Sequence, residues 1–190
     1  MELEEEKVLI EQAKNDPRLV GPLYKANYRP IFGYVLRRTA SVDMAQDITS
    51  EVFTRALSNL HRYYWRGIPF SAWLYRIASN EIATYYKRNG HEKIAMAELA
   101  ASRNLLGDSP EDEVEHAEHE LEKYREYLAV QAAVRKLPDK FQEVIALRFF
   151  EKKQLSEIAA ITGRPESSVK ATLYRGLEKL RRLVHNATFV

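Results

Sequence analysis

Apolar side chains recur at intervals of three and four residues through most of this chain, and that periodicity restricts it to helices. Between Asp43 and Leu60 the positions Ile48, Val52, Ala56 and Leu60 form one stripe, leaving Asp47, Glu51, Arg55 and Ser58 on adjoining, more exposed faces. Upstream, Leu23, Ile31, Val35 and Leu36 predict another buried stripe. Pro30 should kink or restart that helix, because proline removes a backbone donor and crowds the preceding turn. A short loop, roughly His61 to Gly67, leads through Pro69 into a third helix with Phe70, Trp73, Leu74, Ile77 and Ile82 as its core side. No run of Val, Ile and Thr alternates with polar residues between tight turns. The expected fold class is all-α.

The first unit ends near Asn89-Gly90. Beyond it periodicity fails: Gly107, Ser109 and Pro110 break the chain, and Glu111, Asp112, Glu113, Glu115 and Glu118 crowd together. We therefore expect a helical domain over 1–90, an acidic linker over 91–120 that is partly helical at best, and a second helical domain over 121–190. In the second domain Leu121, Leu128, Ala132 and Leu137 resume the pattern, and Phe141, Val144 and Ile145 follow the Pro138 break. The formal net charge of +2 hides a segregation that follows the same boundaries. Residues 17–90 carry 11 basic against 4 acidic side chains, residues 91–126 carry 4 against 11, and residues 127–190 carry 12 against 6. Basic surfaces attract phosphate backbones, and an acidic spacer is repelled from them. On composition alone, two solvated domains on a polar linker fit equally well.

The sequence contains no cysteine, which excludes disulfides, thiol redox sensing and thiolate zinc sites, and a reducing cytoplasm is the simplest compartment. Four glutamates among residues 1–7 oppose a signal peptide, and no apolar run reaches the length of a membrane span, so a cytoplasmic protein without membrane insertion is expected. No phosphate loop, dinucleotide glycine pattern, HExxH or nucleophile elbow occurs, which argues against an enzyme and for no cofactor. His116 and His119 stand three apart among glutamates; such a pair in an acidic stretch is more simply solvated than metal-bound.

The clearest local signal spans Leu155 to Lys170. A short helix, capped by Ser156 and stopped by Gly163, is followed by a turn and a long helix opening near Pro165, which is helix-turn-helix grammar. Val169, Leu173, Leu177, Leu180 and Val184 keep one face of the long helix apolar, so Ser167, Ser168, Lys170, Ala171, Tyr174 and Arg175 fall at or beside the opposite face. A recognition helix meets base edges and phosphates there. An ordinary helical hairpin with solvated charges is the plainer alternative.

In the first domain Arg62-Tyr63-Tyr64-Trp65-Arg66 precedes Tyr75, Arg76, Asn80, Tyr85, Tyr86, Lys87 and Arg88. Rings interleaved with cations suit single-stranded nucleic acid, because unstacked bases lie on rings while cations hold the backbone. Trp73 is the best core candidate among them, whereas Tyr64, Trp65 and Tyr86 are expected to be exposed.

Three ordered motifs, Asp47-Ile48-Thr49-Ser50-Glu51-Val52-Phe53, Phe70 through Asn80, and Leu137-Pro138 with the helix-turn-helix, make the chain resemble the extracytoplasmic-function sigma factors from about Leu23 to Arg182, excluding the linker. The resemblance implies a first domain that binds the clamp helices of core RNA polymerase and opens the minus-ten element of promoter DNA, and a second that reads the minus-thirty-five element. It assigns polymerase docking to Asp47, Glu51 and Phe53. Minus-ten contacts fall to Tyr64, Trp65, Arg76 and Asn80, with Tyr86, Lys87 and Arg88 added from the aromatic and basic end of the same helix. Minus-thirty-five contacts fall to Arg164, Ser167, Ser168, Lys170, Ala171, Tyr174 and Arg175. The sequence departs from the family pattern at Ser167 and Thr172, where Gly and a basic residue are common. The acidic linker matches, in location and charge, a segment that threads toward the polymerase active site, and family habit implies an anti-sigma partner. A conventional helix-turn-helix regulator with a sensing or dimerising first domain is the rival reading, but it leaves the basic, aromatic first domain unexplained.

Overall fold

The structure is a computed structural model that describes residues 2–89 and 130–188. The expected acidic linker and the His116/His119 pair lie outside them. Among the described residues all regular structure is helical.

The first unit comprises α1 (Leu3–Asn15), a 3₁₀ turn (Pro17–Val20), α2 (Gly21–Thr39), α3 (Val42–Ser58), a second 3₁₀ turn (Leu60–Arg62) and α4 (Phe70–Asn89). α2, α3 and α4 pack on one another, and the expected α3 stripe of Ile48, Val52, Ala56 and Leu60 is fully interior. Ser41 caps α3 by accepting the Met44 N–H. α2 runs unbroken through Pro30, contrary to the restart allowed by the sequence. Proline costs a helix interior about 3 kcal/mol. The buried stripe Leu23, Asn27, Ile31, Tyr34, Val35 and Arg38 crosses the proline on both sides, and packing a continuous face outweighs one lost hydrogen bond.

A polar network joins α2 to α4. Tyr34 and Ser79 share a hydrogen bond at 2.8 Å, Arg38 donates to the Tyr34 hydroxyl at 3.1 Å, and the Tyr86 hydroxyl donates to the Arg38 carbonyl at 2.6 Å. Burial pushes the Tyr34 hydroxyl above its ordinary pKa. Tyr86, expected to be exposed, is thus an interior side chain whose ring fills the α2–α4 interface and whose hydroxyl needs the partner it finds there.

The second unit comprises helical residues 130–135, α5 (Asp139–Ile145), a π-helical stretch (Ala146–Phe150), α6 (Leu155–Thr162) and α7 (Glu166–Thr188). Val144, Leu147, Ile158, Ile161 and Val169 form its centre. Gly163 stops α6 in the left-handed conformation at φ 68°, as the pattern requires. The N-cap of α6 is Gln154 rather than Ser156: the Gln154 side chain takes an N–H of the first turn, and Glu157 returns the bond to the Gln154 N–H at 2.8 Å. Ser156 sits inside the first turn, two residues past the cap position.

The two units touch. α6 lies against α4, and the π-helical stretch against α2. Glu151, with a side chain only 6% exposed, accepts from the Arg37 guanidinium and, at 2.6 Å, from the Tyr75 hydroxyl, while Lys153 donates to Ser71 at 3.2 Å. Burial, together with the bond to Glu151, raises the Tyr75 pKa.

Candidate nucleic-acid interface and docking surface

Where α3, the aromatic loop and α4 meet, a cavity of about 740 Å³ opens, bordered on the side of the second unit by Ala160 of α6. α4 lines it with Ala72, Trp73, Arg76, Ile77, Asn80 and Glu81. These are pairs spaced by four, and four residues advance a helix only about 40° around its axis, so the pairs form one lengthwise strip. Arg55 of α3 and Asn59, the residue that caps its C-terminus, contribute by the same spacing, and the segment that follows contributes Arg62, Tyr63, Tyr64, Arg66 and Ile68. Four arginines and three rings therefore share one concavity.

The loop is held on one side by ring packing. Tyr63 lies 4.8 Å from Trp73 and edge-on to Phe70 at 5.5 Å, centroid to centroid. Burial pushes its hydroxyl up to about 12. Tyr64, the next residue, is 78% exposed on the cavity side. Arg55 is engaged twice, donating to Glu51 at 2.5 Å and pairing with Glu81 at 3.0 Å. Arg76 runs outward to Gly163, where an added Cβ would meet its guanidinium at 3.2 Å.

Of the residues expected at the minus-ten element, the cavity brings together Tyr64, Arg76 and Asn80. Trp65 is half-buried and does not line it, and Lys87 and Arg88 are exposed farther along α4. Tyr86 is interior and is withdrawn as a contact. Sequence reasoning assigned Trp73 to the core, whereas it is half-buried and walls the cavity; it also left Tyr63 out of the contact set. The interleaving of Arg62 and Arg66 with the rings was the signal that could have added both arginines.

On α3, Asp47 and Glu51 are exposed, as a docking surface needs. Phe53 is not part of that surface. It is 5% exposed, packed against Tyr24 at 4.7 Å and Tyr28 at 6.1 Å, so it supports α3 from beneath.

On α7, Ser167, Ser168, Lys170, Ala171, Tyr174 and Arg175 are all exposed, and the spacing of Ser167, Lys170, Ala171 and Tyr174 makes a single stripe. Arg175 bonds back to the Ala171 carbonyl at 3.2 Å. Arg164 is half-buried and pairs with Glu143 at 3.6 Å. Thr172 is buried.

Among the described residues no cluster of His, Asp and Glu could hold a metal ion, and no helix is long and apolar enough to cross a membrane.

Two family models match the chain: Sigma-70 region 2 over residues 23–92 and Sigma-70 region 4 over residues 127–180. The sequence is 32% identical over 160 residues to the ECF RNA polymerase sigma factor SigW of Bacillus subtilis, covering 80% of this chain and 81% of that protein. The chain belongs to the extracytoplasmic-function sigma factors. It is also 31% identical over 177 residues to the ECF RNA polymerase sigma factor BldN of Streptomyces coelicolor, covering 93% of this chain but only 64% of that longer protein. In fold it resembles CnrH, solved in complex with the cytosolic domain of CnrY, with a TM-score of 0.68 at 21% identity over 95% of this chain and 97% of that one. RpoE of Bartonella quintana, solved in complex with the anti-sigma factor NepR, gives a TM-score of 0.61 at 16% identity over 86% of this chain and 95% of that one. A sigma factor directs promoter-specific transcription initiation. The region 2 match covers the first unit from residue 23 onward, through α2, α3 and α4, so a regulator with a separate sensing domain is not favoured.

Proposed function

We propose that this sigma factor works by binding alone, through three surfaces on two units. Asp47 and Glu51 dock the first unit on the clamp helices of core RNA polymerase. The cavity between α3, the loop and α4 holds unpaired bases of the minus-ten element, with Tyr63, Tyr64 and Trp73 as stacking platforms and Arg62, Arg66 and Arg76 on the phosphates. The exposed stripe of α7 enters the major groove of the minus-thirty-five element. The observation that carries the reading is the cavity itself, because rings and arginines in one concavity offer what a single strand needs and what a duplex cannot use. Stacking contributes about 1–3 kcal/mol per base, comparable with the few kcal/mol that unpairing a base costs, so capture offsets opening without nucleotide hydrolysis. Linking the two DNA contacts in one chain raises the effective concentration of the second. Such work on polymerase and promoter belongs in the cytoplasm. The anti-sigma protein in the RpoE complex supports an antagonist of the same kind here.

In vitro transcription with core polymerase tests the reading. The pair Tyr64→Ala with Arg76→Ala should reduce permanganate reactivity at the promoter on duplex templates, and a pre-melted template should restore transcription. Opening at the wild-type level with both side chains gone would refute the cavity as the strand site. For docking, Asp47→Lys with Glu51→Lys should abolish the complex with core while helix content stays unchanged, since reversed charges repel as well as fail to attract. Core affinity within a few-fold of wild type would move the docking surface elsewhere.

A further inference from the structure

Helix α1 precedes the segment matched to Sigma-70 region 2, which starts at residue 23, yet it reaches into the strand cavity's foundations. Its inward face carries Glu6, Ile10 and Ala13, all buried. The Glu6 carboxylate accepts the Phe70 N–H at 2.9 Å, across 64 residues of sequence. Phe70 is the first residue of α4, and its N–H is one of the four donors a helix cannot satisfy internally. A carboxylate there also meets the positive end of the helix dipole. α1 packs in addition on the Leu60–Arg62 turn, from which the aromatic loop departs. Both ends of the loop are thus referred to one helix, and Tyr63, inside the loop, packs on Phe70. A carboxylate is an expensive group to bury. Desolvation raises the Glu6 pKa in spite of the Phe70 bond and the positive charge of Lys153.

We infer that Glu6 is a positioning residue for promoter opening: by anchoring Phe70 it sets the spacing between the Tyr63–Tyr64 loop and the Trp73–Arg76–Asn80 strip of α4. α1 is then part of the strand-capturing site, although no base touches it. This rests on the reading of the cavity as the single-strand site. The physical reason is preorganisation. A loop anchored at one end samples many spacings, and each strand captured must first select the productive one, which lowers the yield of open complex without altering any contact.

The test uses holoenzyme assembled from core polymerase and the full chain carrying Glu6→Ala, Glu6→Asp or Glu6→Gln. Alanine removes the acceptor, and aspartate keeps the charge but is one methylene too short to reach Phe70. Glutamine keeps an acceptor oxygen at the same reach. Permanganate reactivity on duplex should fall about tenfold for Glu6→Ala and Glu6→Asp, the loss expected for a hydrogen bond to a charged group. Glu6→Gln should stay within a few-fold of wild type, core affinity should not change in any variant, and a pre-melted template should restore transcription. Both tryptophans, Trp65 and Trp73, flank this site, so emission should shift to the red for alanine and aspartate but not for glutamine. Wild-type opening by Glu6→Ala, a parallel loss of core affinity, or a glutamine variant as defective as alanine would each overturn the inference. Opening that depends on Tyr64 but not on Glu6 sinks this inference alone, whereas independence of Tyr64 sinks the cavity reading beneath it.

Discussion

Tyr86 carries a hydroxyl into the interior between α2 and α4 and donates a hydrogen bond to the Arg38 carbonyl. Tyr86→Phe leaves that acceptor without its donor while keeping the ring, so it should destabilise the fold by about 1–3 kcal/mol in denaturant titration. Opening per folded molecule should be unchanged, because the side chain is interior rather than on the DNA surface. Glu6 poses a different balance. Its pKa is raised above 4.5, chiefly by desolvation, so folding shifts its balance toward the protonated form relative to the unfolded chain. Its stability contribution is present in full below the unfolded value and is lost as pH rises through the folded one. Glu6→Gln, which cannot ionise, should therefore melt above wild type at pH 7, and the difference should shrink as pH falls toward 4.5. Melting temperatures measured across that window check the sign; a gap that widens on acidification contradicts the desolvation account.

At the scale of elements, α7 has two faces with separate duties. Gly176 lets α7 approach α5 so closely that a Cβ would meet Ile145 Cδ1 and Phe141 Cδ1, each at 3.2 Å. Gly176→Val should overpack this contact and destabilise the chain by about 1–3 kcal/mol, read as a lower denaturation midpoint. Away from that contact, Lys170 and Arg175 are five residues apart, about 140° around the helix, and should not contact the same thing. Arg175→Ala should weaken binding to all sequences about equally and flatten the salt dependence by about one unit of slope. Lys170→Ala should cost about 1–3 kcal/mol on the preferred upstream element and little on random DNA, as expected for a side chain that reads a base edge. Competition titrations at several salt concentrations separate the two behaviours. Equal, sequence-independent losses would leave α7 only nonspecific attraction.

Across the whole molecule, Glu151 ties the units together, because its nearly inaccessible carboxylate serves Arg37 of α2 and Tyr75 of α4 at once. Removing one member of a buried pair strands the other charge, at about 3–5 kcal/mol. The Arg37 side chain is 26% exposed, so water recovers part of that loss and the lower end of the range applies. Glu151→Ala should lower the stability of the full chain accordingly in denaturant titration. A change below about 0.5 kcal/mol, the range of ordinary surface substitutions, would show that the contact contributes nothing to the fold.

The amino-acid sequence by itself determined the all-α class, the α3 stripe and the helix-turn-helix, including the stop at Gly163 and the restart after Pro165. These are local matters: a helix's period, its breakers and its caps lie within one or two turns of the residues that specify them. The same locality exposed Asp47, Glu51 and the Lys170–Tyr174 stripe, since the face opposite a buried one meets water. Only the tertiary structure decided what covers each remaining face. Phe53 went inside because Tyr24 and Tyr28 of α2 lie over it, Tyr86 because Arg38 waits across the interface, and Trp73 became a cavity wall because the loop packs beside it. α2 passed through Pro30 because burial on both sides outweighed the broken rung. Glu6 and Phe70 are 64 residues apart, and no periodicity encodes a bond between a carboxylate on one helix and the first N–H of another.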